Sequence, residues 1–200
     1  MTTITDVHTH HSGNPSAIYN LTSPVETAPA GPVSVGLHPW DTALPDVETL
    51  MQAINHRAVT DAAVVAIGET GLDNRRGAPL SRQEQLLVEH IRLAELTHKP
   101  LILHIVGAWG ELLRLHRDMR PSVPWIIHGF RGRPALARQL LDAGMYLSLG
   151  RHYNPSTALI IPSDRLLLET DEADSLPVPP PHYDPTLATR LFRAGQSPQL

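Results

Sequence analysis

Two hundred residues, 42% of them apolar, carry a formal net charge of −4, which suits one globular domain over residues 1–200 with a sizeable core and excludes a global basic field for nucleic acid. The absence of cysteine excludes disulfides, thiolate zinc sites and cysteine nucleophiles together, and fits a reducing cytoplasm. No run approaches the ~20 apolar residues of a membrane span, and the N-terminus lacks a signal-peptide pattern.

The chain opens on Asp6-Val7-His8-Thr9-His10-His11. Residues 4–8 read as a short buried strand. In an extended strand i and i+2 share a face, so His8 and His10 converge on one point. Burying two unpartnered imidazoles costs a few kcal/mol, and a metal ion satisfies both. An exposed His-rich terminus is the competing reading. Residues 17–21 are a second strand with no helix between. Residues 23–32, rich in Pro, Ala and Thr, read as loop. Residues 33–40 form a third strand that closes on His38-Pro39-Trp40.

The first helix spans about 46–56, where Val47, Leu50, Met51 and Ile54 make an amphipathic stripe. Residues 64–69 are an apolar strand ending in Glu69, as parallel strands covered on both faces require. A helix over 81–98 follows, with Ser81 and Glu84 spaced as a capping box. Residues 100–104 end in His104, and a helix near 110–117 leads to residues 124–128, ending in His128. Pro134 and Gly144 bracket another helix. Strands at 145–149 and 165–171 follow, the last closing on Asp171. Residues 177–200 read as a Pro-rich loop, a short helix near 185–193 and a frayed tail.

Eight apolar runs, the later ones alternating with helices, argue a parallel sheet. Acids and imidazoles at the carboxyl ends of successive strands are where a (β/α)8 barrel carries its chemistry. A doubly wound sheet gathers ligands at one switch point instead. The expected fold is therefore α/β, a trimmed TIM barrel with shortened or missing helices near both termini.

The strand ends collect His8, His10, His38, Glu69, His104, His128 and Asp171. This nitrogen and oxygen set suits Zn²⁺, Mn²⁺, Fe²⁺ or Co²⁺, and Mg²⁺ less naturally. It is too large for one hydrolytic ion with an open position and large enough for two some 3.5–4 Å apart. A carboxylate bridges two ions where an imidazole bridges poorly, which leaves Glu69 or Asp171 as the shared ligand.

His8-Thr9-His10, Gly36-Leu37-His38-Pro39, Ile67-Gly68-Glu69-Thr70-Gly71-Leu72-Asp73, Ile102-Leu103-His104, Ile127-His128-Gly129-Phe130-Arg131-Gly132 and Leu168-Glu169-Thr170-Asp171 follow one another in an order that resembles the TatD family of metal-dependent hydrolases, within the amidohydrolase superfamily. His11, Trp40 and Arg131 resemble a short subtype of it. The resemblance implies one metal on His8, His10, Glu69 and Asp171, with Glu69 bridging to a second on His104 and His128. It implies Asp171 as general base and His38 on the substrate phosphate. It also implies a deoxyribonuclease, often working from a 3′ end with Mg²⁺, Mn²⁺ or Zn²⁺, some relatives being linked to removal of D-amino acids from tRNA. The chain departs from the family at loop 104–109, which lacks the usual polar residues, and at Glu172-Ala173-Asp174, where Ala-Pro-aromatic is typical. These changes spare the metal set and bear on the substrate.

Fifteen of the sixteen cations are Arg. Arg75, Arg76, Arg131, Arg133 and Arg151 fall in loops on the expected catalytic face, where guanidinium suits phosphate; Arg75, Arg131 and Arg151 are the candidate substrate contacts. Trp40 and Trp109 either stack a base there or pack between helices. Asp73 either braces a ligating histidine or caps a turn. His152 and Tyr153 are candidates for the site wall. His11 faces away by parity, and His56, His90, His98 and His116 lie on helices as surface or satisfied groups. The expected function is a cytoplasmic phosphodiesterase acting on DNA ends or single-stranded nucleic acid. The alternatives are hydrolysis of a small ester, amide or D-aminoacyl-tRNA linkage at the same centre, and a non-enzymatic binding protein. Oligomeric state is left open.

Overall fold

The computed structural model describes residues 3–194, so the expected frayed tail lies outside the described residues. Eight strands form one sheet in sequence order: β1 (Asp6–Thr9), β2 (Ala17–Asn20), β3 (Val33–Val35), β4 (Val64–Asp73), β5 (Leu101–Val106), β6 (Trp125–Ile127), β7 (Tyr146–Leu149) and β8 (Leu166–Leu168). Every pairing from β1 to β8 is parallel. The ends meet through a Thr9–Asp171 bridge, with the His10 N–H donating to Asp171 O and the Asp171 N–H to His8 O, both at 3.0 Å. This is the expected (β/α)8 barrel.

Among the described residues six α-helices pack on it: α1 (Val47–Thr60), α2 (Leu80–Thr97), α3 (Trp109–Met119), α4 (Pro134–Asp142), α5 (Pro155–Ala158) and α6 (Leu187–Ala194). As expected, no helix separates β1 from β2 or β2 from β3 among the described residues. The loop after β2 covers the wall instead. The Arg57 guanidinium donates to Pro24 O (2.9 Å) and to Glu26 O, and the Tyr19 hydroxyl donates to Glu26 Oε1 at 2.9 Å. Among the described residues, no helix is long and apolar enough to cross a membrane.

Local expectations change in several places: β4 runs on past Glu69 to Asp73, and β8 stops at Leu168. The third strand stops at Val35, because His38 turns the chain: its Nδ1 accepts the Trp40 N–H (3.2 Å) and Pro39–Asp41 becomes a 3-10 turn. No capping box forms on α2. Pro79 takes the N-cap position and accepts the Arg82 and Gln83 N–H groups on its carbonyl, leaving Ser81 inside the first turn. α5 lies between the last two strands, where the sequence reading places no helix; Asn154-Pro155 signals it, and Asn154 Oδ1 accepts the Ser156 N–H at 3.1 Å.

Strand alternation sorts the apolar residues. Leu101, Leu103, Trp125, Ile127, Leu147 and Leu149 join the layer under the helices, against Ile54, Leu87, Ile91, Leu112 and Leu140. Val7, Ile18, Val65, Ile102, Ile126 and Leu167 fill the barrel interior, where Leu187, Ala188 and Phe192 of α6 plug its amino-terminal end. Phe192 is almost fully buried. Phe192→Ala is expected to destabilise the fold by about 3–5 kcal/mol, read as a lowered urea midpoint at unchanged slope.

His90 on α2 is buried and satisfied. Its Nδ1 donates to Leu86 O (2.7 Å) and its Nε2 accepts the Leu37 N–H (3.0 Å), holding the segment that presents His38. Burial pushes its pKa down to about 4. The unfolded chain therefore binds more protons between pH 6.5 and 4, and the stability from a neutral His90, complete above pH 6.5, is lost as pH falls through that window. The loss is about 3 kcal/mol. Denaturant titrations at pH 7 and 4.5 are expected to show a flatter pH slope in His90→Gln.

Candidate metal centre

The site assembles at the carboxyl end of the barrel. Two bulges shape it. Between Asp6 and Thr9, and again between Ile67 and Thr70, β1 and β4 advance three residues against two on their neighbours. The first turns both Val7 and His8 inward, one into the core and one into the site. The second delivers Glu69 and requires Gly68 (φ +142°), where a Cβ would come within 2.5 Å of Ile102 O. Asn20 Oδ1 accepts the Glu69 N–H at 2.8 Å and fixes the backbone there.

All six expected ligands meet. Glu69 Oε2 lies 3.3 Å from His8 Nε2 and 3.5 Å from His10 Nε2, and both nitrogens lie 3.7 Å from Asp171 Oδ1. Glu69 Oε1 faces the other way, 2.9 Å from His104 Nδ1, 2.8 Å from His128 Nε2 and 3.2 Å from His38 Nε2. Ligand atoms about 2.1 Å from a shared tetrahedral ion sit about 3.4 Å apart, which the spacings around Glu69 Oε2 and Asp171 Oδ1 match, whereas those around Glu69 Oε1 are hydrogen-bond distances. His8-His10-Glu69, His8-His128-Asp171 and His38-Glu69-His104 each bring ligand atoms within 4.8 Å of one another. His38 therefore has a ligand's geometry as well as a position facing the cavity. The residues fit a metal on a further ground: fully buried His8 makes no hydrogen bond through either ring nitrogen, and neither does His104 Nε2.

Burial works to raise the Glu69 pKa, but His128 and His8 override it and hold the carboxyl well below the usual range. Burial likewise works to lower His128, and Glu69 and Glu169 raise it well above the ordinary imidazole value. Asp171 sits at φ +54°, a left-handed conformation that costs an ordinary residue about 1–3 kcal/mol and clusters at functional sites.

Sequence reasoning missed the supporting groups. Glu169, fully buried, accepts the Gly129 N–H on Oε1 at 2.6 Å and faces His128 Nδ1 at 3.3 Å, fixing which imidazole nitrogen points at Glu69. Its signal was parity, two residues before Asp171 on the last strand. Glu169→Gln is expected to lower metal affinity or turnover 10–100-fold, measured by Mn²⁺ titration calorimetry beside steady-state rates. Asp6 accepts the Thr170 N–H (3.1 Å) and hydroxyl (2.7 Å) across the β1–β8 seam; burial pushes its pKa up to about 6. Asp73 caps the turn after β4 and grips Trp40, and it comes near His104 without a hydrogen bond to it. Oδ1 accepts the Arg75 N–H at 2.8 Å, and Oδ2 accepts the Trp40 indole N–H at 2.7 Å while lying 3.7 Å from His104 Nε2.

Three cavities of about 340, 370 and 300 Å³ open at the site, and Asp171 lines all of them. The first is walled by Leu21, His38, Trp40 and Glu172, the second by Trp109, Phe130 and Arg131, the third by Arg131, Arg151 and His152. Arg131 and Arg151 thus reach the site. Arg75 and Arg133 are exposed and stand outside these walls, and Arg76 lies over the Trp40 ring at 3.9 Å. Tyr153 is diverted, its hydroxyl donating to Val178 O at 3.1 Å. His11, His56 and His98 are exposed, His116 packs edge-on against Trp125, and His182 Nε2 donates to Ile161 O at 2.8 Å.

A parallel barrel with imidazoles and carboxylates converging at its carboxyl-terminal face places the chain among the metal-site (β/α)8 barrels. The sequence profile of the TatD related DNase family matches residues 6–190, and the chain belongs to that family. It is 37% identical over 155 residues to the "3'-5' ssDNA/RNA exonuclease TatD" of Cronobacter turicensis, across 72% of this chain and 58% of that one. It is 33% identical over 156 residues to the "Uncharacterized metal-dependent hydrolase YcfH" of Escherichia coli K12, across 73% of this chain and 57% of that one. The chain thus spans less than two thirds of these relatives' length. The crystal structure of YJJV, a TatD homolog from Escherichia coli K12, shares the fold with a TM-score of 0.71 at 22% identity, covering 96% of this chain and 88% of that one.

Proposed function

We propose that the chain is a metal-dependent phosphodiesterase of the cytoplasm that hydrolyses single-stranded nucleic acid from an end. The observation carrying this reading is the division of labour in Glu69, one oxygen toward His8 and His10 and the other toward His104 and His128. His8, His10, Glu69 and Asp171 would hold one divalent ion, and Glu69, His104 and His128 a second, as Zn²⁺, Mn²⁺ or Mg²⁺. When bound, such ions neutralise charge on the phosphoryl group and lower the pKa of water toward neutrality.

The chain's own groups do the rest. Asp171, 28% exposed and common to all three cavities, accepts the proton of the attacking water on its carboxylate. His38 Nε2 orients a phosphate oxygen, and Arg131 and Arg151 hold the flanking phosphate through their guanidinium forks. The nuclease name of the Cronobacter relative supports the substrate class.

A second reading, hydrolysis of a small ester, amide or aminoacyl linkage, is favoured by one observation: the cavity beside Trp40 has neither Arg nor Lys in its wall. Metal-stripped protein given Mn²⁺, Mg²⁺ or Zn²⁺ singly separates the two. Metal-restored shortening of a 5′-labelled single strand supports the nuclease. Silence on nucleic acid with turnover of a small ester favours the second reading.

A further inference from the structure

We propose that Trp40 is a stacking platform for the terminal nucleobase of the substrate, an inference that rests on the nuclease reading. Trp40 is 46% exposed, an unusual state for so large an apolar ring. It is not a loose surface side chain. The indole N–H is held at 2.7 Å by Asp73 Oδ2, a buried carboxylate that the Arg75 N–H also grips. Its backbone N–H is held in turn by His38 Nδ1. A ring fixed at one edge and open to a cavity is preorganised for a flat partner.

Its position suits the last base of a strand. The ring lies 4.7 Å from that of His38, whose Nε2 is 3.2 Å from Glu69 Oε1, so a base on Trp40 belongs to the nucleotide whose phosphate reaches the metal ligands. The adjoining cavity of about 340 Å³ lies within the range of small-ligand sites. Leu21, Thr22 and Gly36 face the ring in a wall that holds neither Arg nor Lys. Phosphate-binding Arg131 and Arg151 lie in the other cavities. Arg76 packs against the indole by cation–π contact at 3.9 Å, which buttresses the ring and places a positive charge beside the sugar-phosphate. The other candidate ring, Trp109, meets Phe130 edge-on at 6.1 Å. Stacking uses the π-face that all bases share, so the platform accepts any base and discriminates against an end that lacks one.

The test uses metal-loaded protein and two readouts. Titrating dAMP into the Mg²⁺-loaded protein is expected to quench tryptophan fluorescence, whereas deoxyribose 5-phosphate does not, and Trp40→Phe loses the quench. In hydrolysis of single strands with a normal or an abasic 3′ terminal nucleotide, Trp40→Ala is expected to raise KM about tenfold for the normal end only. Trp40→Phe, which keeps a ring but cannot donate to Asp73, stays within about threefold. An equal rise in both KM values, or an equal fall in kcat on both ends in Trp40→Ala and Trp40→Phe, overturns the platform and leaves Trp40 as a prop for Asp73. If wild type cleaves neither strand with any metal, the nuclease reading fails and the platform falls with it.

Discussion

Glu69→Gln is expected to bind at most one divalent ion per chain and to lower kcat by about 1000-fold or more, equivalent to about 4 kcal/mol of transition-state stabilisation. Glutamine keeps the shape of the side chain and loses what the site uses. Both Glu69 oxygens face imidazole nitrogens, at 2.8–3.3 Å for the nearest on each side. An amide offers one acceptor and one NH₂, so one of the two groups must meet a donor where an acceptor belongs. The negative charge also goes. Burial opposes that charge, and it persists because His128 and His8 face it. Metal analysis after gel filtration, with single-turnover hydrolysis, checks both halves. Two tightly held ions with near-normal kcat in this variant would contradict the bridging role.

Asp171→Asn is expected to retain the fold and lose kcat by about 10²–10⁴-fold, the usual contribution of a general base. The residue stands at φ +54°, and Asn is among the few side chains that tolerate this region. Its backbone hydrogen bonds to His8 and His10, which close the barrel, do not involve the carboxylate. The variant therefore removes the proton acceptor and weakens the carboxylate's hold on the first ion with little cost to the fold. A thermal midpoint close to wild type beside the lowered kcat is the expected pair of results. Unchanged kcat would move the base elsewhere.

Much of this site is visible in the amino-acid order, for a physical reason. Parallel strands present their carboxyl halves to one face, so His8, His10, Glu69, His104, His128 and Asp171 need only lie in or just past those halves to become neighbours. Bulges escape such reading, because the extra residue near Val7-His8 and near Gly68-Glu69 exists only relative to the partner strand's register. The α2 cap failed for a related reason. The Ser81–Glu84 spacing is local, while Gln83 binds the β4–α2 loop through Asp73 and Ala78, which fits Pro79 at the N-cap. Glu169 and Asp6 act through partners distant in sequence, Gly129 and Thr170, and neither pairing has a local signature. The loop arginines divide similarly: Arg131 and Arg151 line cavities and Arg75 does not, a matter of loop path rather than loop membership.

Anomalous diffraction from crystals of the Mn²⁺-loaded protein reads the Glu69 bridge directly. Two manganese peaks about 3.5–4 Å apart are expected. One should be coordinated by His8, His10, Asp171 and Glu69 Oε2, and the other by His104, His128 and Glu69 Oε1. A single peak, or two that share no Glu69 carboxylate, would contradict the bridge.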